Sequence, residues 1–364
     1  MGNIWGSRFK VSIFGESHGP AIGVAIEGLA PGFQIEWDLV AKEMARRAPG
    51  QSELATQRQE TDEWELLSGY FNGAATGTAL CAIIRNTDTR SRDYAPELLR
   101  PSHADLSSLY KYGGYADYRG GGQFSGRLTA PIVFAGAIAK QALMHSGIKI
   151  GARIASIGGI DDDPASPESL PEISLKEMPV LSSLASEKMK QAIKSARDAG
   201  DSLGGIVECT ALGVPGGWGD PFFDSLESSI SSMMFSIPAV KAVEFGAGFA
   251  FSSMSGSQAN DPLSFKDGQV QAATNHSGGI NGGISNGMPI LFRVAFRPTP
   301  TISITQDTVN VHSMQNEKAS FGGRHDPCIA IRAVPVVEAG LAICLVNAKS
   351  EVFSLKNINR EKQQ

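Results

Sequence analysis

Apolar residues fall along the chain in both helical and extended spacings. Between Asp38 and Ala48, Leu39, Val40 and Met44 share one side, Asp38 stands as the capping residue and Pro49-Gly50 supplies the stop. This predicts a helix over 38–48 that carries Arg46 and Arg47 at its end. A second helix, almost wholly apolar, is predicted from Pro131 to Ser146, capped by Thr129 and ended by Gly147, and without a polar face it must be buried. Met189, Ile193 and Ala196 give an amphipathic helix over 186–199. Strands are expected at 206–214 and 290–296, and a short apolar strand runs into Phe14, whereas 161–182 is the most loop-like stretch. Helices and strands mix without the regular alternation of a doubly wound sheet. No linker or low-complexity segment divides the chain, so the pattern predicts one compact body of mixed α and β structure with long glycine-rich loops.

Composition narrows the class. A chain of 364 residues can bury an ample core, and its four cysteines, Cys81, Cys209, Cys328 and Cys344, are too scattered for a disulfide framework or a zinc site. No apolar signal core opens the sequence and no run approaches about 18 uninterrupted apolar residues, so a cytoplasmic protein without a membrane partner is expected. A net charge of -5 argues against a nucleic-acid partner. Yet the 17 arginines outnumber the 15 lysines, and many stand beside glycine, proline or histidine. The planar guanidinium fork suits phosphate and carboxylate, so several small-anion contacts are expected, with loop-edge salt bridges the plainer alternative.

Three segments carry candidate chemistry. In Phe14-Gly15-Glu16-Ser17-His18-Gly19, a histidine sits between small residues at a strand end, open to a ligand and able to act as an acid near neutral pH. Arg100-Pro101-Ser102-His103-Ala104-Asp105 is followed by Arg119-Gly120-Gly121-Gly122-Gln123-Phe124-Ser125-Gly126-Arg127, in which a glycine triplet flanked by arginines lets backbone amides crowd a phosphate. It is not a P-loop, since no Gly-Lys-Ser/Thr follows. Gly323-Arg324-His325-Asp326 with Arg332 places acid, base and cation types close together.

Together and in this order these segments resemble the chorismate synthase family over nearly the whole chain, up to about Val346. The resemblance extends to Arg46–Gly50, Asn86–Asp88, Ser236–Lys241, Asn275–Ile280 and a closing signature over Arg324–Glu338. It implies an α+β fold, a single β-α-β sandwich of that family's type over residues 1–350, with 351–364 a polar C-terminal tail, assembled as a homotetramer. It implies a lyase of the shikimate pathway, and hence of aromatic amino-acid biosynthesis. The reaction would be the 1,4-elimination of phosphate from 5-enolpyruvylshikimate 3-phosphate to give chorismate, dependent on reduced FMN, with NADPH only an indirect reductant and no metal.

By motif match, His18 would protonate the departing phosphate, His103 would keep the reduced flavin correctly protonated and Asp326 would relay the substrate proton. Arg47, Arg100, Arg127 and Arg324 would hold the substrate. FMN contacts would fall on Gln123, Phe124, Ser125, Ala239, Gly282, Arg297, Pro298, Thr299, Pro300, Thr301 and Arg324. The chain departs from the commonest family pattern at Gln123-Phe124, where many members read Arg-Ser, and at Pro238, Arg297 and Glu53. An FMN oxidoreductase turning over with a nicotinamide partner is a rival, weakened by the lack of a strand-Gly-x-Gly-x-x-Gly-helix unit. A binding module for phosphorylated ligands is another.

Overall fold

Short apolar strands with tight turns build the first layer. Ala21–Glu27 is buried along most of its length and pairs on both edges, so it lies near the centre of a sheet. The computed structural model describes residues 2–50, 60–89, 94–266, 268–322 and 326–349. The first sheet comprises β1 (Ile4–Trp5), β2 (Lys10–Gly15), β3 (Ala21–Glu27), β4 (Trp64–Ser68) and β5 (Leu80–Arg85), in the order β1-β2-β3-β5-β4, with every pair antiparallel. The helices include α1 (Trp37–Arg47), α2 (Asp105–Tyr112), α3 (Thr129–Met144), α4 (Ser183–Asp198), α5 (Leu226–Ser236) and α6 (Ala330–Ala348). A second antiparallel sheet comprises β6 (Lys149–Ile157), β7 (Ile160–Asp161), β8 (Gly205–Leu212), β9 (Val240–Phe245) and β10 (Ile290–Phe296), in the order β9-β10-β8-β6-β7.

Between the sheets lie α3 and α6, packed on each other, with α3 also against β3 and α6 against β6 and β8. The fold is therefore α+β, a sandwich with helices as its filling, and one buried apolar cluster runs from Phe9 to Leu345. The helix pair meets closely at Gly136, where a Cβ would come within 2.3 Å of the Ala339 Cβ. Among the described residues α6 is long and apolar enough to cross a membrane by length and composition, but most of it is buried inside this body.

The helix starts differ from expectation, at α1 because a tertiary contact holds the cap and at α3 and α4 because local bonds place the first turn. Asp38 lies inside the first turn of α1, and the cap is Glu36, with no side-chain capping bond. Instead Gln141 of α3 clamps the Glu36 backbone, accepting from its N–H at 2.9 Å and donating to its carbonyl at 3.1 Å. Thr129 likewise does not cap α3: it is the first helical residue, and its hydroxyl donates to the Gly126 carbonyl at 2.6 Å. The capping side chain is Ser125, which accepts from Arg127 N at the start of the short 3-10 turn leading into α3. The expected helix at 186–199 begins earlier, at Ser183, where Ser182 caps it. The 206–214 strand runs over Gly205–Leu212, and 290–296 forms as expected. Residues 162–182 are mostly loop, stapled by Asp162, whose carboxylate accepts from Leu181 N and Ser182 N.

One buried ion cluster ties the helix layer to the second sheet. Glu338 of α6, fully buried, takes Arg46 of α1 at 2.7 and 3.0 Å, Lys140 of α3 at 2.5 Å and Ala152 N of β6 at 2.9 Å. Burial alone would raise the Glu338 carboxyl, but Lys140 and Arg46 outweigh it and hold the group well below the usual glutamate value.

Candidate active site

Gly15, at φ 98°, ends β2 in a conformation open to glycine, and the chain turns through Glu16–Gly19 into β3 with His18 at the tip. Asn86, just past β5, holds both ends of this turn, donating to the carbonyls of Glu16 (2.9 Å) and Gly19 (2.8 Å). Its side-chain oxygen accepts from Arg127 Nε at 3.0 Å, so one amide joins the histidine turn to an arginine. The His18 ring meets Tyr94 edge-on at 5.4 Å. The glycine triplet approaches from the other side: at Gly120, φ 62°, a Cβ would lie 2.4 Å from the His18 ring, so no side chain fits there. At Gly121 a Cβ would come 3.4 Å from His103 Nε2. The triplet thus passes both histidines at backbone distance.

Arg47, the last residue of α1, is buried and pairs through Nε with Asp62 at 2.8 Å. Asp62 spans two arginines, since its other oxygen takes Arg127 Nη1, and Glu60 adds a contact to Arg127 at 3.3 Å. Burial pushes the Arg47 guanidinium down to about 10 against the pull of Asp62, and the neighbouring cations Arg332 and Arg127 push the same way. Arg47 remains charged at neutral pH. Arg332 of α6 donates through Nε to the Arg47 carbonyl (3.0 Å) and through Nη1 to Asp326 (2.5 Å), so the aspartate is tied to the arginine floor.

These side chains share a cavity of about 690 Å³, within the range of small-molecule and cofactor sites. Among the described residues six cations line it, Arg47, Arg100, Arg127, Lys241, Arg297 and Arg332, against three carboxylates, Glu60, Asp88 and Asp326. The local excess of positive charge inside an acidic chain suits a small polyanion. Strain gathers here too: of six non-glycine residues with positive φ among those described, Ser102 and Ala239 line the cavity and Asp62 lies beneath it.

Of the residues singled out from sequence, His18, His103, Asp326, Arg47, Arg100, Arg127, Gln123, Phe124, Ser125, Ala239, Arg297, Thr299, Pro300 and Thr301 all line this cavity. Pro298 does not line it but lies within the same segment. Gly282 lies apart, in the tight turn between Ile280–Asn281 and Ile284–Ser285, where it lines no wall of this cavity. Arg324 and His325, like Glu53 and the 351–364 tail, lie outside the described residues. Sequence reasoning missed Glu60, Asp62 and Tyr94 altogether, and gave Arg332 and Asp105 no role. The carboxylates had a signal in principle, because buried arginines require partners, but nothing in the sequence says which ones.

Two histidines and an aspartate brought together with an excess of arginines in one cavity make the build of an enzyme with a small-molecule substrate. Comparison with known proteins gives the particular family. The family model for chorismate synthase matches residues 9–349. Chorismate synthase of Dehalococcoides mccartyi is 44% identical over 350 residues, covering 95% of this chain and 96% of that protein. That of Thermococcus kodakarensis is 45% identical over 344 residues, covering 94% and 96%. A crystal structure of a chorismate synthase superposes with a TM-score of 0.73 at 28% identity, over 99% of this chain and 98% of that one. The chain belongs to the chorismate synthase family.

Proposed function

We propose that the protein is a carbon–oxygen lyase that removes phosphate from 5-enolpyruvylshikimate 3-phosphate by 1,4-elimination, giving chorismate for aromatic amino-acid biosynthesis, with reduced FMN as cofactor. The observation that carries this reading is the meeting, in one cation-rich cavity, of His18, His103 and Asp326 from three distant segments of the chain. The residues present fit an anionic flavin. Gly120 offers backbone without a Cβ at the cavity wall, Arg297 and Lys241 bring charge, and Phe124 offers an apolar face. In this reading Gln123, Phe124, Ser125, Ala239 and the 297–301 segment hold FMN, and when bound the reduced ring supplies electron density to the allylic system.

The substrate's phosphate and carboxylates lie on Arg47, Arg100 and Arg127, whose geometry is fixed in advance by Asp62, Asn86 and Asp105. Fixed cations stabilise the charge that grows on the leaving phosphate without reorganising. His18 donates a proton to that phosphate as the C–O bond breaks. His103 keeps the cofactor in its working protonation state, and Asp326, held by Arg332, relays the proton lost from the ring carbon. One C–O and one C–H bond break, one double bond forms, and there is no net redox change.

The test is anaerobic phosphate release by the purified protein. Reduced FMN should support it, while oxidised FMN should give none. Equal release with both forms, or none with either, would contradict the reading.

A further inference from the structure

We propose that Asp105 is a positioning residue whose single carboxylate fixes the imidazole of His103 and the guanidinium of Arg100 relative to one another. Its two oxygens receive four donors. Oδ2 takes Arg100 N at 3.0 Å and Nε at 2.8 Å, and Oδ1 takes Arg100 Nη2 at 2.7 Å and lies 2.6 Å from His103 Nδ1. Three of these four contacts are N–H groups of an arginine and can only donate. A carboxylate so engaged is ionised and is an acceptor only. Although burial would raise Asp105, the bonds from His103 and Arg100 hold it well below the usual aspartate range.

The tautomer of His103 follows. Nδ1 must carry the hydrogen, which leaves Nε2 of the neutral ring as the acceptor on the side of Gly121. Arg100 is spent at the same time: Nε and one Nη2 hydrogen face the carboxylate, and its cation lies 5.4 Å from the Tyr94 ring centre, so the Nη1 end is what remains for an anion. The two side chains sit on one short loop, closed by His103 N to the Arg100 carbonyl at 3.1 Å and bent through Ser102 at φ 59°. With one carboxylate between them, neither can turn without the other.

The roles given to His103 and Arg100 rest on the proposed reaction, so the experiment has an arm that does not use turnover. In ¹⁵N-histidine NMR spectra of the full chain without substrate or flavin, neutral His103 should be the Nδ1–H form. In Asp105→Asn, the amide oxygen keeps Arg100 N and Nε while the amide NH₂ takes the place that faced His103 Nδ1 and Arg100 Nη2, so Nη2 loses its acceptor and the Nε2–H form should dominate. Turnover in this variant should fall about 10²-fold or more, in the range lost when a general acid–base histidine is held in the wrong tautomer. KM should rise as Arg100 loosens. A wild-type His103 found as Nε2–H overturns the proposal whether or not the variant folds, and so does a folded Asp105→Asn protein with unchanged tautomer and kinetics. A wild-type chain with the Nδ1–H form but no phosphate release would uphold the placement by Asp105 and sink the proposed reaction instead.

Discussion

His18 is the residue whose role divides most sharply between packing and chemistry. It meets Tyr94 edge-on and fills the space above Gly120, so a packing role is physically reasonable, and such an aromatic contact contributes about 0.5–1.5 kcal/mol. If it also donates the proton to phosphate, His18→Ala should cost no more stability than that contact while turnover falls about 10²-fold to 10⁴-fold. Melting curves and phosphate-release rates on the same preparation check this, and a folded variant within a few-fold of the wild-type rate would remove His18 from the chemistry. The two histidines stood out in the sequence by the small residues around them, and Asp326 by the acid, base and cation types close together there, while their meeting in one cavity is seen only in the fold. Asp62 was not legible. Its work is to lie under two arginines that come to it from the end of α1 and the start of α3, and that meeting exists only once the chain has folded.

At the scale of elements, the site is assembled by joints between strand ends and helix ends, and Asn86 is the clearest of them. It ties the turn after β2 to the arginine preceding α3, so removing it should disturb both His18, the proposed proton donor, and Arg127, the proposed anion contact. Asn86→Ala is expected to lower kcat/KM at least about 10-fold, and its effect should not add to that of Arg127→Ala, because residues in one hydrogen-bond network couple by about 0.5–3 kcal/mol. Kinetics on the two single variants and the double variant measure the coupling. Strict additivity would mean that Asn86 acts on the turn alone. The elements themselves were partly legible. The strand at 290–296 and the buried helix over most of 131–146 follow from their own residues, whereas the start of α1 is set by Gln141 across the fold and α3 continues from a 3-10 turn capped by Ser125, so neither begins at the nearest polar side chain. The C-terminal helix α6 was not foreseen, since Pro335, Arg332 and Glu338 interrupt its apolar pattern, and Glu338 and the Nε of Arg332 find their partners across the fold.

For the molecule as a whole, the layered body depends on a polar knot at its centre as well as on its core. Replacing Glu338 by Gln leaves Arg46 and Lys140 with Glu43 as their remaining carboxylate partner, at 2.9 and 2.8 Å, and should cost about 1–3 kcal/mol. The Glu338 carboxyl is depressed to about 2 in the fold, so its stabilisation is fully present above the unfolded glutamate value of about 4.3 and is lost progressively as the pH falls from there through the folded value. The gap in denaturation midpoint between wild type and Glu338→Gln should therefore narrow between neutral pH and pH ~3, and a gap that stays constant would contradict the assignment. The central claim is that the cation-rich cavity carries out an elimination with no net redox change. The most direct measurement is the number of phosphates released per reduced FMN supplied, in an anaerobic assay with excess 5-enolpyruvylshikimate 3-phosphate. Many phosphates per flavin, with the flavin still reduced at the end, is the expected result. One phosphate per flavin oxidised would show a stoichiometric reductant and contradict it.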